Sequence, residues 1–295
     1  MLERAWEDTP PAAGRAGRLM VADRTRVLHD ALLPAPPAQP RARYGALPYV
    51  LPALATGHPP PHVVLVVDST GVDYRVVTPE GVREDTVEGA DHPVHKVPGG
   101  GWNHLSMQRR VEETVRRTMR EAAEAAVSVA RGAGARLVAV AGEVRSRAAL
   151  CAELPDSLHA VELDAGSRAA GADADRLEAE VARALAEVDA ADHLADLDHF
   201  RAQTGARAVD GLPDVVAALA AGNAELLLVP HDPSGTAWVR PGSPGTIALE
   251  PAQDTVECPL DECLPAAALA VGARVRVVGP EIDLRDRVGV LRRYA

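Results

Sequence analysis

Between Lys96 and Arg120 the chain gathers the residue types that nucleic-acid recognition needs. Lys96 precedes three consecutive glycines, Gly99, Gly100 and Gly101, and Trp102, Asn103 and His104 follow them. Arg109, Arg110, Arg116, Arg117 and Arg120 come next. Three glycines in a row weaken a helix or a strand, so they mark a loop that takes unusual backbone angles or lets another molecule approach closely. Trp102 can stack on a base, Asn103 and His104 can hydrogen-bond, and the cations can track phosphates. From Pro93 to Arg120 one Lys and five Arg stand against two Glu, a net of +4, in a chain of net charge −11. A cationic patch on an acidic protein favours selective over indiscriminate nucleic-acid binding. Gln108 and His104 are the candidates for orienting a water molecule in hydrolysis. The competing reading is a surface helix with a solvated charged face and a flexible connector.

These residues need a rigid support, and the pattern supplies one. Leu105, Val111, Val115, Met119, Ala122, Ala126 and Val129 share one face at helical periodicity, with the arginines roughly opposite. The spacing predicts a helix that begins at Leu105 and is stopped by Gly132 and Gly134. At 1.5 Å per residue its roughly 27 residues form a rod of about 40 Å. One face is buried, one is basic, and the glycine loop sits at the N-terminal end.

Around this rod the sequence predicts an α/β layer. HVVLVVD (62–68), DYRVVT (73–78) and VREDTVEG (82–89) read as an antiparallel meander, followed by the helix, a strand at 136–141, a short helix at 145–153 and a strand at 158–163. Upstream, strands at 18–22 and 26–33 form a hairpin, and the nine prolines of 34–61 predict extended chain lying along a surface. Downstream, helices are expected at 173–191 and 192–203, then a helix at 214–221, a strand at 225–229, a polar stretch at 230–244, a helix at 265–271 and strands at 274–278 and 288–292. The alternation implies a small three-layer sandwich. The expected domains are 1–59, a reduced hairpin with a Pro-rich segment; 60–172, the middle domain; and 173–295, linker helices with a second α/β domain.

Several chemistries lack their motifs. The sequence contains no Walker loop, no GxGxxG after a strand, no GxSxG and no HExxH. Cys151, Cys258 and Cys263 make neither a disulfide framework nor a zinc set, and read as small thiols in a reducing compartment. His92 and His95 read as loop residues; His193, Asp196, Asp198 and His199 read as a polar helix face rather than ligands. No metal and no cofactor are expected. The N-terminal residues lack the apolar core of a signal peptide, and the aliphatic run Val63–Val67 is far short of a membrane span, so the expectation is a cytoplasmic protein.

Three stretches together carry a resemblance: PVHKVPGGGWNHLSMQRRVEETVRR (93–117), AGEVRSRAAL (141–150) and DGLPDVVAALAAGNAELLLV (210–229). Over about residues 15–295 the chain resembles the bacterial branch of the archaeo-eukaryotic release-factor superfamily, with its actinobacterial release-factor-like proteins and Balon-like hibernation factors, and more distantly Pelota. The resemblance implies an RNase H-like middle domain whose glycine loop points toward the peptidyl-transferase centre. It also implies a C-terminal α/β/α domain like the ribosomal proteins that bind kink-turn RNA. Implied partners are the ribosome, through its RNA, and a translational GTPase such as elongation factor Tu. The family's release factors place a glutamine directly after two glycines; here Gly101-Trp102-Asn103-His104 follow, and the nearest glutamine is Gln108. The expectation is therefore a non-catalytic ribosome-binding factor acting in dormancy or stress. A peptidyl-tRNA hydrolase or rescue factor, and a truncated paralogue that only binds proteins, are the alternatives.

Overall fold

The computed structural model describes residues 17–33, 36–37, 40–56, 59–78, 81–88, 103–168 and 173–295, with the backbone alone for 87–88 and 103–115. The fold is mixed α/β. The chain divides into two units, residues 59–192 and residues 1–58 with 193–295.

Strands β1 (Gly17–Ala22) and β2 (Val27–Leu33) pair antiparallel as a hairpin. Its turn is closed by Asp23, whose Oδ1 accepts hydrogen bonds from the backbone N–H groups of Thr25 and Arg26. The Pro-rich segment was expected to be extended, yet it contains a short helix, α1 (Leu51–Thr56). Pro52 sits in its first turn, where a missing N–H costs nothing.

In the unit 59–192, β3 (His62–Val67), β4 (Gly71–Thr78) and β5 (Gly81–Glu88) form the expected meander. Helix α2 (Asn103–Ala133) leads to β6 (Leu137–Gly142), which pairs parallel to β3. Helix α3 (Val144–Glu153) then leads to β7 (Ala160–Glu162), parallel to β6. The sheet order is β5-β4-β3-β6-β7. Gly142 is required at the end of β6: its φ is 112°, and a Cβ there would lie 2.0 Å from the Val67 carbonyl oxygen. One sheet face buries Val63, Leu65, Val138 and Val140 against Met119, Ala122, Ala126 and Ala130 of α2 and Leu150 of α3. The other buries Val64, Leu137, Ala139 and Ala141 against Val181, Ala184, Leu185 and Val188.

Those last four residues belong to α4 (Ala174–Ala202), one continuous helix where two were expected. Residues 174–202 contain no Gly or Pro. The apolar stripe changes at 192, but nothing there breaks the backbone.

In the other unit, β8 (Ala208–Asp210), α5 (Leu212–Ala220) and β9 (Ala224–Pro230) are followed by β10 (Thr236–Arg240), β11 (Ser243–Ala248), β12 (Val256–Pro259), α6 (Leu260–Ala270), β13 (Arg274–Val278) and β14 (Gly289–Arg292). One sheet runs β13-β9-β14-β8, and a second, antiparallel sheet runs β11-β10-β12. The polar stretch 230–244 thus holds strands the sequence reading missed. Ala237 and Val239 are its buried alternation, short and interrupted by glycine and proline. The four-stranded sheet packs α5 and α6 on one face through Leu227, Val229 and Val290. Leu197 and Phe200 of α4 pack on the other against Leu226, Leu228 and Leu291. The described residues 36–46 of the Pro-rich segment are exposed, as expected for chain lying along a surface, and Leu47 and Leu51 anchor it in the α5–α6 core.

Candidate nucleic-acid interface

The platform for the basic residues is α2. Its described inner face is small and flat: Ala122, Ala123, Ala126 and Ala130 are buried around Met119, which lets the helix lie close on the sheet. The outer face carries Arg116, Arg117 and Arg120, all exposed, with Glu121 and Glu124 beside them. Helix α3 packs against α2 and ends in Glu153, which approaches Arg116 at 4.0 Å and Arg120 at 3.5 Å. Arg117 faces Glu121 at 3.8 Å, one turn along.

These distances separate two kinds of arginine. Charge-assisted pairs that fix a fold are short, about 2.7–2.9 Å. Arg147 is of that kind: its side chain is 9% exposed, and it donates to Glu162 at 2.8 Å, to Asp164 at 3.1 Å and to the Leu163 carbonyl. Arg168 ties the β3–β4 turn, reaching Asp68 at 2.9 Å and Asp73 at 3.1 Å. Burial raises the Asp68 carboxyl, but the Thr70 and Arg168 hydrogen bonds outweigh it and leave the group below its ordinary value. Arg116, Arg117 and Arg120 instead make long, solvent-screened contacts that give way easily to a phosphate. Glu153 tempers the local charge. It lies 33 residues from Arg120, so no helical spacing rule reveals it.

The remaining predicted residues divide in two. Lys96, Gly99, Gly100, Gly101 and Trp102 lie outside the described residues. Asn103, His104, Gln108, Arg109 and Arg110 lie in α2, where the backbone alone is described. The helix begins at Asn103, two residues before the expected start, so Asn103 and His104 belong to its first turn. The apolar stripe starts only at Leu105 and could not mark that earlier boundary. At the other end the helix runs through Gly132 and stops at Gly134, whose φ is 60°.

The histidine-rich face of α4 is bound by its own protein. Asp196, 7% exposed, accepts from Arg274 at 2.7 Å and from Arg276 at 3.1 Å. His193 Nε2 lies 3.1 Å from Glu281, and His199 Nε2 lies 3.4 Å from Arg207. Among the described residues no group of three or more His, Cys, Asp or Glu side chains is placed to hold a metal ion. Cys151 is half-buried and Cys258 and Cys263 are buried. No described helix is long and apolar enough to cross a membrane.

The model of bacterial archaeo-eukaryotic release factor family 2 matches residues 61–206, which include α2 and the sheet beneath it. The Mycobacterium tuberculosis H37Rv protein Rv2629 is 31% identical over 309 residues, covering 100% of this chain and 82% of its own. Its counterpart MT2704 from strain CDC 1551 matches equally. Among solved structures, archaeal Pelota from a model of ribosome-bound Pelota and ABCE1 gives a TM-score of 0.49 at 16% identity, over 79% of this chain and 61% of that one. Archaeoglobus fulgidus Pelota gives 0.37 at 15%, over 81% and 65%. The chain thus spans less than two thirds of these structural relatives. By the family match and by its 31% identity to the mycobacterial proteins, the chain belongs to the bacterial branch of the archaeo-eukaryotic release factors.

Proposed function

We propose that this protein is a ribosome-binding factor that occupies the A site in dormancy or stress and performs no hydrolysis there. The observation that carries the reading is the exposed, loosely paired Arg116-Arg117-Arg120 face of α2, on a helix that leads back to the glycine loop. Cations held this way exchange their carboxylates for RNA phosphates at little cost. In this reading Lys96, Gly99, Gly100, Gly101, Trp102, Asn103, His104, Arg109 and Arg110 extend the same RNA contact. The unit that holds residues 60–172 acts as the middle domain, and the unit that holds residues 193–295 acts as the C-terminal domain that meets a translational GTPase such as elongation factor Tu.

Two features favour occupancy over hydrolysis. No glutamine directly follows the glycines, and Gln108 lies in the second turn of α2, where reaching the loop would mean unwinding the helix start. Hydrolysis by Gln108 or His104 is the competing outcome. The test is sedimentation of the purified protein with vacant ribosomes, with and without elongation factor Tu. Co-sedimentation that weakens with salt supports the reading, and a protein left in the supernatant at low salt in both arms removes it.

A further inference from the structure

The Pro-rich segment crosses the first turn of α6, and three observations meet there. Arg43 donates to Asp261 at 2.9 Å and to Glu262 at 3.1 Å, with its guanidinium 4.0 Å above the Tyr49 ring. Gly45 lies so close that a Cβ on it would sit 3.0 Å from Glu262 Oε2. That same oxygen accepts a hydrogen bond from the Cys258 thiol at 3.7 Å, and the Cys263 thiol shares the same buried cluster. The sulfurs lie in the cluster that Leu47 and Leu51 help to close, with Cys258 2% and Cys263 0% exposed.

A thiol bonded to a carboxylate, with a second thiol in the same cluster, has a base and a resolving partner in place. It lacks access. The Cys258 thiol beside it, together with burial, pushes the Cys263 thiol far above the usual thiol range. Neither the RNA-binding face nor the family's chemistry uses it.

We propose that Cys258 and Cys263 are a gated redox pair: with residues 43–51 seated the dithiol is inert, and with them lifted hydrogen peroxide oxidises it to an intramolecular disulfide. Removing Arg43 leaves the Glu262 carboxylate without its guanidinium and facing the Cys258 thiol. Glu262 takes the Cys258 proton, and the thiolate attacks one peroxide oxygen. The O–O bond breaks, Cys258 becomes a sulfenic acid, and the departing hydroxide takes the proton from Glu262 to leave as water. The Cys263 sulfur then attacks the sulfenic sulfur, the S–O bond breaks, and that hydroxide leaves as water with the Cys263 proton. Two thiols and one hydrogen peroxide give one disulfide and two waters.

The test treats the reduced full chain with hydrogen peroxide, alkylates the remaining thiols and maps peptides by mass spectrometry. In Arg43→Ala the Cys258–Cys263 disulfide should form roughly tenfold faster or more than in the wild type, because local release replaces deeper opening. Cys151 should react equally in both proteins. Equal rates for the pair in the two proteins, or loss of both thiols without that cross-link, overturns the proposal. Should Arg43→Ala unfold, the wild type in low urea decides. Disulfide formation must rise below the global unfolding midpoint, and a rise only at the midpoint overturns the gating.

Discussion

Charge reversal on α2 gives a quantitative test of the RNA face. Arg116, Arg117 and Arg120 are 64%, 56% and 53% exposed and pair only at 3.5–4.0 Å. Such pairs are worth about 0–1 kcal/mol each, so replacing all three with glutamate should cost the fold no more than about 3 kcal/mol. The repulsion gained from Glu153 and Glu121 is screened in the same way. Each phosphate contact contributes about 0.7–0.9 to the slope of log affinity against log salt. Three lost contacts should therefore flatten the slope by about 2–3. The assay is ribosome binding titrated between about 50 and 200 mM salt, alongside a melting curve. An unchanged slope in a variant that melts normally would refute the phosphate role and leave a solvated helix face.

Three further outcomes are expected. Leu51 is 1% exposed in the core with α5 and α6, so Leu51→Ala should destabilise that unit by about 2–5 kcal/mol in a urea melt, where a surface-lying segment would give under about 0.5. His62 is buried in β3 with Nδ1–H donating to the Pro60 carbonyl at 2.9 Å; burial lowers its imidazole against that bond. A depressed folded value gives stability that is present above the unfolded value of 6.5 and is lost as pH falls through the folded one, so the melting temperature should drop from pH 6.5 downward and His62→Gln should flatten that limb. Trp102→Ala should weaken ribosome binding by about 1–3 kcal/mol with an unchanged melting temperature if the ring stacks on a base; a large melting shift would assign it to packing instead.

The elements legible in the sequence were those whose signal is local. HVVLVV is a continuous aliphatic run, and Met119, Ala122 and Ala126 repeat at helical spacing; both are buried where expected. The misses share a physical cause. Leu47 and Leu51 lie in a proline-rich segment, and their burial depends on α5 and α6, more than 150 residues away. Strand β10 shows only the brief alternation Ala237-Trp238-Val239, and its pairing with β12 is set by chain that follows a long loop. In the candidate interface, the arginines were legible by type and spacing, but Glu153, the carboxylate that Arg116 and Arg120 share, arrives through the packing of α3 on α2. The start of α2 at Asn103 was hidden because its first two residues are polar, and polarity carries no helical phase.

Peptide release distinguishes occupancy of the A site from hydrolysis there. Programmed ribosomes carrying labelled peptidyl-tRNA are mixed with the protein under conditions where it co-sediments, with an authentic release factor as control. A factor that occupies without hydrolysing is bound and gives release no greater than background. Release well above background that disappears in Gln108→Ala or His104→Ala would contradict it and make this chain a hydrolase.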